Sequence, residues 1–586
     1  MIIGISFGHD ATLSVLDNGK QIFSIAEERL SRNKGHFGFP FKAVEYVFKN
    51  KIVSPAEIEI VSLANGRFKK GKNQVLEISL SDDLPYFDFM NSDPPDGFEI
   101  KEPRFGRHLS ATEVKERVRS RVLEIFSKYG AEPQISFEEH HECHAASSAY
   151  QFQSDEALFI TLDGEGDWIS GSVSNLENGK LQRLMEVPKS HSIGYVYSWV
   201  TKQLGYKISR HEGKLTGLAA YGSSEEGLKR LRKFFGVNQG KFEYKRGPLH
   251  VLLLSLFTKL GPKKKWLMRN HTRHLAQLLS DLSPEDQAAS VQDFLEETVL
   301  DFISYWMQSS GKSDLCLAGG VFANVKLNQR LANLDSVKSI HIFPNMGDGG
   351  IALGAAILAE ADKTGKLALA SEFNNVYWGP SFTDKEIKLE LERHGDQLNV
   401  SKPKNISSLV AKHINNGLVI GWFQGGMEYG PRALGNRSIV AEPKKRELND
   451  ELNRRLSRTE FMPFAPSALH EKTEQVFILP DCKTKNTAQF MTITYDVVED
   501  WSDKIGAVVH VDNTARPQLV TKSANPKYHR LIEEYEKLSG IPLVVNTSFN
   551  VHEEPIVCHP SEAIKALRSG VIDGLALGNF YVELVR

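Results

Sequence analysis

The stretch HHECHAASSAY, residues 140–150, sets His140 and His144 four positions apart. On a helix both imidazoles would leave one face and could share an ion. The same spacing also suits a polar helix start whose rings bond to nearby loops. Two acidic residues elsewhere have the character of further ligands. Asp163 ends the apolar run ALFITLD just before a glycine turn, and Asp348 lies between glycines in NMGDGGIALGAA, immediately before a helix. A helix cap is the simpler task for Asp348. Two imidazoles with two carboxylates suit a borderline-to-hard ion such as Fe(II) or Mn(II), with positions open to substrate oxygen. Structural zinc fits less well, because no thiolate is suitably spaced.

A second chemistry is anion handling. The glycine turns GISFGHDA, LDGEGDW, EGKLTGLAAYG and AGGVFANV (the last with Gly319, Gly320 and Asn324) can present backbone N–H groups to phosphate. Lys34 in RNKGHFGFP and Lys214 in HEGKLTG could neutralise that charge. Most glycine turns are only turns, so the signal lies in their number. Farther along, GPRALGNRS supplies Arg432 and Arg437, NTARPQ supplies Arg516, and VVNTSFN supplies Asn546 and Ser548. Three arginine forks in separate loops read as a pocket for carboxylate and phosphate oxygens. Any single one is equally explained by pairing with a surface carboxylate.

These residues need a scaffold. IIGISFGHDATLSVLDNGKQIFSIAEE reads as strand, glycine turn, strand, Asn-Gly turn, strand, and ALFITLDGEGDWISGSVSNLENGKLQRLMEV repeats the pattern. The repetition predicts a duplicated α/β domain whose two hairpin tips face one cleft. Residues 65–110 have the composition of an irregular insertion, and KTGKLALASEFNNVYWGPSF that of a domain boundary. The expected division is a first domain over 1–362, a linker over 363–382 and a second αβ domain over 383–586.

At 586 residues the chain exceeds one ordinary core, and its formal net charge of −2 with no basic stripe gives no support to nucleic-acid or membrane-surface binding. The four cysteines form no C-x-x-C pair, no signal peptide is visible, and apolar runs such as HVLLLSLF are too short to span a bilayer. A cytoplasmic enzyme is expected.

GISFGHDATL, AEERLSRNKGHFGFP, HHECHAASSAY, EGKLTGLAAYG, AGGVFANVKLN, GDGGIALGAA, GPRALGNRSIVAEP, PFAPSAL, DNTARPQLV and NTSFNVHEEPIV follow one another in the order seen in NodU/CmcH-type O-carbamoyltransferases. The chain resembles that family over nearly its whole length. The resemblance implies an actin/Hsp70/sugar-kinase-like first domain and a carbamoyl-adenylate-forming (YrdC-like) second one. It implies that His140, His144, Asp163 and Asp348 bind a metal, commonly iron, beside a nucleotide, and that His9 is the base for an accepting alcohol. An imidazole titrating near neutrality suits that duty, although a hairpin-tip histidine can also make only local hydrogen bonds. The implied co-substrates are carbamoyl phosphate and ATP with Mg(II), the acceptor a small-molecule alcohol, and a homodimer is left open. A sugar kinase and a threonylcarbamoyl-type tRNA-modifying enzyme share parts of this pattern.

Two departures stand out. Many relatives carry Lys and Arg before PFAP, where this chain has Leu456 and Met462; Arg458, or failing it Arg455, would then supply the charge. His552 and Glu553 replace the Arg-Gly often seen after NTSFN.

Overall fold

The computed structural model describes residues 1–64, 111–152, 154, 156–245, 272–370, 372–457, 462–551 and 553–585. The insertion at 65–110, Arg458 and His552 lie outside the described residues.

The first sheet contains β1 (Ile2–Ser6), β2 (Thr12–Asp17), β3 (Lys20–Ala26), β4 (Ile60–Leu63) and β5 (Gln134–Phe137), in the order β3-β2-β1-β4-β5. The second contains β6 (Ala157–Gly166), β7 (Ile169–Glu177) and β8 (Lys180–Pro188). After a small hairpin of β9 (Phe235–Asn238) and β10 (Lys241–Tyr244), it gains β11 (Asp314–Ala318) and β12 (Ser339–Ile342), giving the order β12-β11-β6-β7-β8. Each sheet is an antiparallel three-strand meander extended on the first strand's free side by two parallel strands. The duplication expected from the two hairpin patterns is therefore present in the topology. Both meanders turn on Asn-Gly pairs with positive φ, Asn18 at 47° with Gly19 at 76°, and Asn178 at 51° with Gly179 at 75°. Those values suit the tight turn whose twist matches the flanking strands.

The helix His140–Gln151 and the helix Ile351–Thr364 pack between the two sheets. Small residues let the backbones approach. A Cβ on Gly354 would stand 1.9 Å from the Cys143 carbonyl oxygen, and one on Gly4 would stand 1.8 Å from that of Ala352. We expect Gly354→Ala to cost about 3 kcal/mol, because backbone on the facing helix must yield. Urea unfolding checks this; an unchanged transition would mean the helices can separate freely.

The C-terminal sheet is built from β13 (Leu398–Ser401), β14 (Ile420–Phe423), β15 (Arg437–Ala441), β16 (Ala465–Leu469), β20 (Gln518–Val520), β21 (Leu543–Ser548), β22 (Gly574–Leu577) and β23 (Phe580–Leu584), with β17 (Phe477–Ile478), β18 (Tyr495–Val497) and β19 (Thr514–Ala515) forming a small sheet beside it. Its order is β13-β23-β22-β14-β15-β21-β16-β20. The stretch with linker composition is a packed strap rather than a loose connection. Val376 is fully buried, Ser24 N donates to Trp378 O, Tyr429 N donates to Val376 O and Met427 N donates to Pro380 O. Leu367 and Val376 share one apolar cluster with Ile2 and Ala145 on one side and Tyr429, Leu434 and Phe490 on the other. Among the described residues no helix is long and apolar enough to cross a membrane.

Candidate metal centre and anion pocket

Glu139 caps the helix His140–Gln151, its carboxylate accepting from the N–H groups of His141 and Glu142. The helix then carries His140 and His144 on one buried face. Their Nε2 atoms lie 3.1 Å apart, and His144 Nε2 is 3.4 Å from Asp163 and 3.8 Å from Asp348. His140 Nε2 is 3.7 Å from Asp348. One ligand atom from each of the four residues falls within 4.8 Å of every other.

Each member is aimed by a local device. In β6 the register shifts between Leu162 and Gly166, a bulge that re-aims Asp163 at the strand's end. Asp163 then accepts from Gly164 N and Gly320 N. Gly319 has φ 100°, and a Cβ there would strike the Leu162 carbonyl, so this glycine turn serves the carboxylate. His140 N donates to Asp167, and a Cβ on Gly166 would stand 2.2 Å from the His140 ring. Asp348 opens the short helical turn Asp348–Gly350 without capping it through its side chain; its carboxylate faces the histidines instead.

Two facing imidazole nitrogens cannot both hold a proton at 3.1 Å unless a carboxylate compensates. Burial pulls His140 below its ordinary value; for His144 burial acts the same way, but Asp163 and Asp348 outweigh it and raise the ring to about 9. This concentration of lone pairs fits a divalent cation. Bonds of about 2.1 Å place neighbouring donors about 3.0 to 3.4 Å apart, close to the separations here. His141 belongs to the framework: Thr161 and the Ile169 carbonyl face its two nitrogens.

His9 stands at the tip between β1 and β2. Its Nε2 lies 3.0 Å from Asp348 and its Nδ1 3.0 Å from Asp10. Asp348 above all holds this imidazole well above its ordinary value, burial opposing. His9 thus sits between two carboxylates, both of which favour its protonated form.

In the C-terminal sheet, Asn546 on β21 donates through Nδ2 to Ser467 on β16, Gln518 on β20 and the Ala433 carbonyl in GPRALG. That network gathers the loops bearing Arg432 and Arg516, with Ser548 at the end of β21 paired in register with Ser438. The Asn546 Oδ1 is buried without a hydrogen-bond partner among the described residues. A buried acceptor without a donor is costly, so a ligand donor or water belongs there.

The two regions touch. Tyr429, just before GPRALG, donates its hydroxyl to the Gly349 carbonyl at 2.5 Å, one residue from Asp348. Arg29 reaches the Gly430 carbonyl at 3.0 Å.

Residues 1–357 match the family description "Carbamoyltransferase N-terminus" and residues 411–584 match "Carbamoyltransferase C-terminus". The chain belongs to the carbamoyltransferase family. Nodulation protein NolNO of Sinorhizobium fredii is 30% identical over 582 residues, covering 99% of this chain and 79% of that protein. Nodulation protein NolO of Bradyrhizobium diazoefficiens is 35% identical, covering 76% and 78%. The protein MJ1051 of Methanocaldococcus jannaschii is 31% identical over the full length of both. Among solved structures, component A of the Acidaminococcus fermentans (R)-2-hydroxyglutaryl-CoA dehydratase aligns over 61% of this chain and 95% of its own, at 14% identity and a TM-score of 0.32.

Two residues expected in the anion sites of this carbamoyltransferase, Arg437 and Asn324, make structural contacts. Arg437 is fully buried, stacks 3.7 Å from the Phe423 ring centroid and donates to the carbonyls of Gln424, Gly425, Asn436 and Pro380. Burial pulls its pKa down to about 10. It braces the loop. Asn324 caps the helix Val325–Ala332 and exchanges two hydrogen bonds with Gln292, so it too is structural. Lys214 is buried with its Nζ 5.8 Å from the Tyr206 ring centroid, and Lys34 lies near Glu553. Leu456 is a core residue, and Met462 lies over Gly217 of the helix Glu212–Leu218. Glu428 escaped the sequence reading. Its Oε1 accepts from the N–H groups of Leu434, Asn436 and Arg437 and so shapes GPRALG. Asp10 and Asp167 escaped it as well, although each sits within a quoted glycine motif.

Proposed function

We propose that this carbamoyltransferase is an ATP-dependent O-carbamoyltransferase acting on a small-molecule alcohol. Carbamoyl phosphate and ATP, the latter with Mg(II), would meet in the C-terminal pocket and give carbamoyl adenylate, with release of phosphate and pyrophosphate. Arg432, Arg516, Asn546 and Ser548 are its proposed ligands, and Arg437 is left out because both of its Nη groups donate to carbonyls and its side chain is fully buried. The observation that carries the reading is the convergence of His9, His140, His144, Asp163 and Asp348 at the two hairpin tips, joined through Gly349 to the loop that bears Arg432. A divalent ion held there, Fe(II) in the proposal, would polarise a carbonyl or phosphoryl oxygen and draw the charge of Asp348 away from His9. His9 then orients and deprotonates the accepting hydroxyl. The strap and the shared apolar cluster between the domains would help keep water from such a reactive anhydride.

Measuring carbamoyl-phosphate-dependent pyrophosphate release, with and without tRNA, tests this reading. Release without tRNA supports it. ATP hydrolysis indifferent to carbamoyl phosphate would sink it in favour of a kinase, and strict dependence on tRNA would favour a threonylcarbamoyl-type enzyme.

The loop before PFAP gives a further expectation. Arg455 is paired with Asp573 at 2.8 Å and with Glu451 at 2.5 Å, so it has little charge to lend. Arg455→Ala should leave KM for carbamoyl phosphate and ATP within about twofold, since such partly exposed pairs contribute little. Arg458→Ala should raise one KM by about tenfold or more through loss of a charge-assisted contact. Equal small effects in steady-state kinetics would mean that neither arginine meets phosphate.

A further inference from the structure

Glu553 stands in the loop after β21, in the position where the sequence departs from its relatives, and its φ is 63°. That left-handed conformation favours glycine, so a glutamate side chain is kept there at a conformational cost. Its carboxylate projects to the first domain. Lys207 Nζ lies 3.1 Å away, His211 Nε2 3.4 Å and Arg210 Nη1 3.8 Å. Lys34 acts on the same carboxylate, and Arg210 ties the two segments by donating to the Lys34 carbonyl at 2.5 Å. Two permanent cations and a histidine thus contact the Glu553 carboxylate directly, with Lys34 adding positive charge at longer range, while Glu212 and Glu28 are turned to the backbone N–H groups of Ser209 and Gly35. The excess is positive, and Lys207 and Glu553 are open to solvent at 62% and 36% of their side chains. Ion pairs this exposed are weak and readily exchanged. A phosphate group brings more charge and more acceptor oxygens than one carboxylate, and arginine and lysine bind it accordingly.

We propose that Lys34, Lys207, Arg210 and His211 form a site for a phosphate or pyrophosphate group at the junction of the two domains, with Glu553 as the internal occupant that the incoming anion displaces. The proposal rests on the reading above in one respect only, that such anions are consumed and released nearby. The chemistry of the site would hold for phosphate entering on a substrate or leaving as product. Glu553 then sets how long the anion stays, because expulsion is assisted by a carboxylate returning to the same cations.

The test is calorimetric titration of the full-length protein with inorganic phosphate and, separately, pyrophosphate, without turnover. Glu553→Gln should tighten binding of one of the two by about tenfold, since a competing charge is removed while the cations remain. Glu553→Gly, which also relieves the backbone, should do the same and guards against a folding artefact. Adding Lys207→Ala and Arg210→Ala to Glu553→Gln should abolish the gain and flatten its salt dependence. Which anion responds identifies the source. Unchanged or weaker binding in both Glu553 variants would overturn the proposal, as would a gain that survives loss of Lys207 and Arg210. Absence of carbamoyl-phosphate-dependent pyrophosphate release in the wild type would overturn the reaction instead, and leaves these titrations decisive for the site.

Discussion

Replacing His144 with alanine is expected to remove most of the bound divalent metal and to slow carbamoyl transfer by at least about a hundredfold, given that even supporting contacts around a metal are worth 10- to 100-fold. The expectation follows from position. His144 is fully buried, and its Nε2 is the atom that sees His140, Asp163 and Asp348 together. Truncation leaves one imidazole and two carboxylates, a three-donor set that holds a divalent ion more weakly and yields it more readily to chelators. The framework should survive, because the neighbouring His141 anchors the helix to Thr161 independently. Elemental analysis after gel filtration gives the answer. A His144→Ala protein with the wild-type metal content would show that the four residues are an ion-pair network and not a metal centre.

This cluster of His140, His144, Asp163 and Asp348 was legible in the sequence to an uneven degree. The His-x-x-x-His spacing carries through, because a helix has one period and residues four apart share a face; nearly the whole helix is buried, so it is this spacing that pairs His140 with His144. The meanders were legible for a similar reason: Asn-Gly between alternating apolar runs has few other solutions. The allocation of donors was not legible. Arg437 and Asn324 sit in motifs rich in glycine and look like ligands, yet each satisfies backbone groups that a sharply turned loop leaves unpaired. Whether a guanidinium meets a carbonyl or a phosphate depends on where the next loop lies, and that information is not local. The strap has the same lesson. Its loop-like composition is true of its backbone, which has no ladder of its own, but Val376 and Leu367 are buried by residues far away in sequence. Leu456 is buried in the core, so the phosphate charge expected before PFAP rests on Arg458.

The two sites should also come apart under mutation. Arg516 lies between β19 and β20, partly buried, two residues before the Gln518 that binds Asn546. If the pocket forms carbamoyl adenylate, Arg516→Ala should reduce carbamoyl-phosphate-dependent pyrophosphate release by about a hundredfold or more, the scale on which one lost contact to developing charge is felt. Transfer would fall with it, because its substrate is never made. His9→Asn acts at the other end. Asparagine retains a polar contact with Asp348 or Asp10 but cannot accept a proton from an alcohol, so transfer should drop by about 10²- to 10⁴-fold. Pyrophosphate release should continue, within about threefold of wild type, with the adenylate breaking down in water instead. The Tyr429–Gly349 contact makes the second half of this expectation demanding, since a disturbance at Asp348 has a direct path to the loop of Arg432. Pyrophosphate release and carbamoylated product, measured in the same reaction, separate the outcomes. Loss of pyrophosphate release in His9→Asn would mean that the first domain takes part in making the adenylate, and the division of labour between the two domains would have to be abandoned.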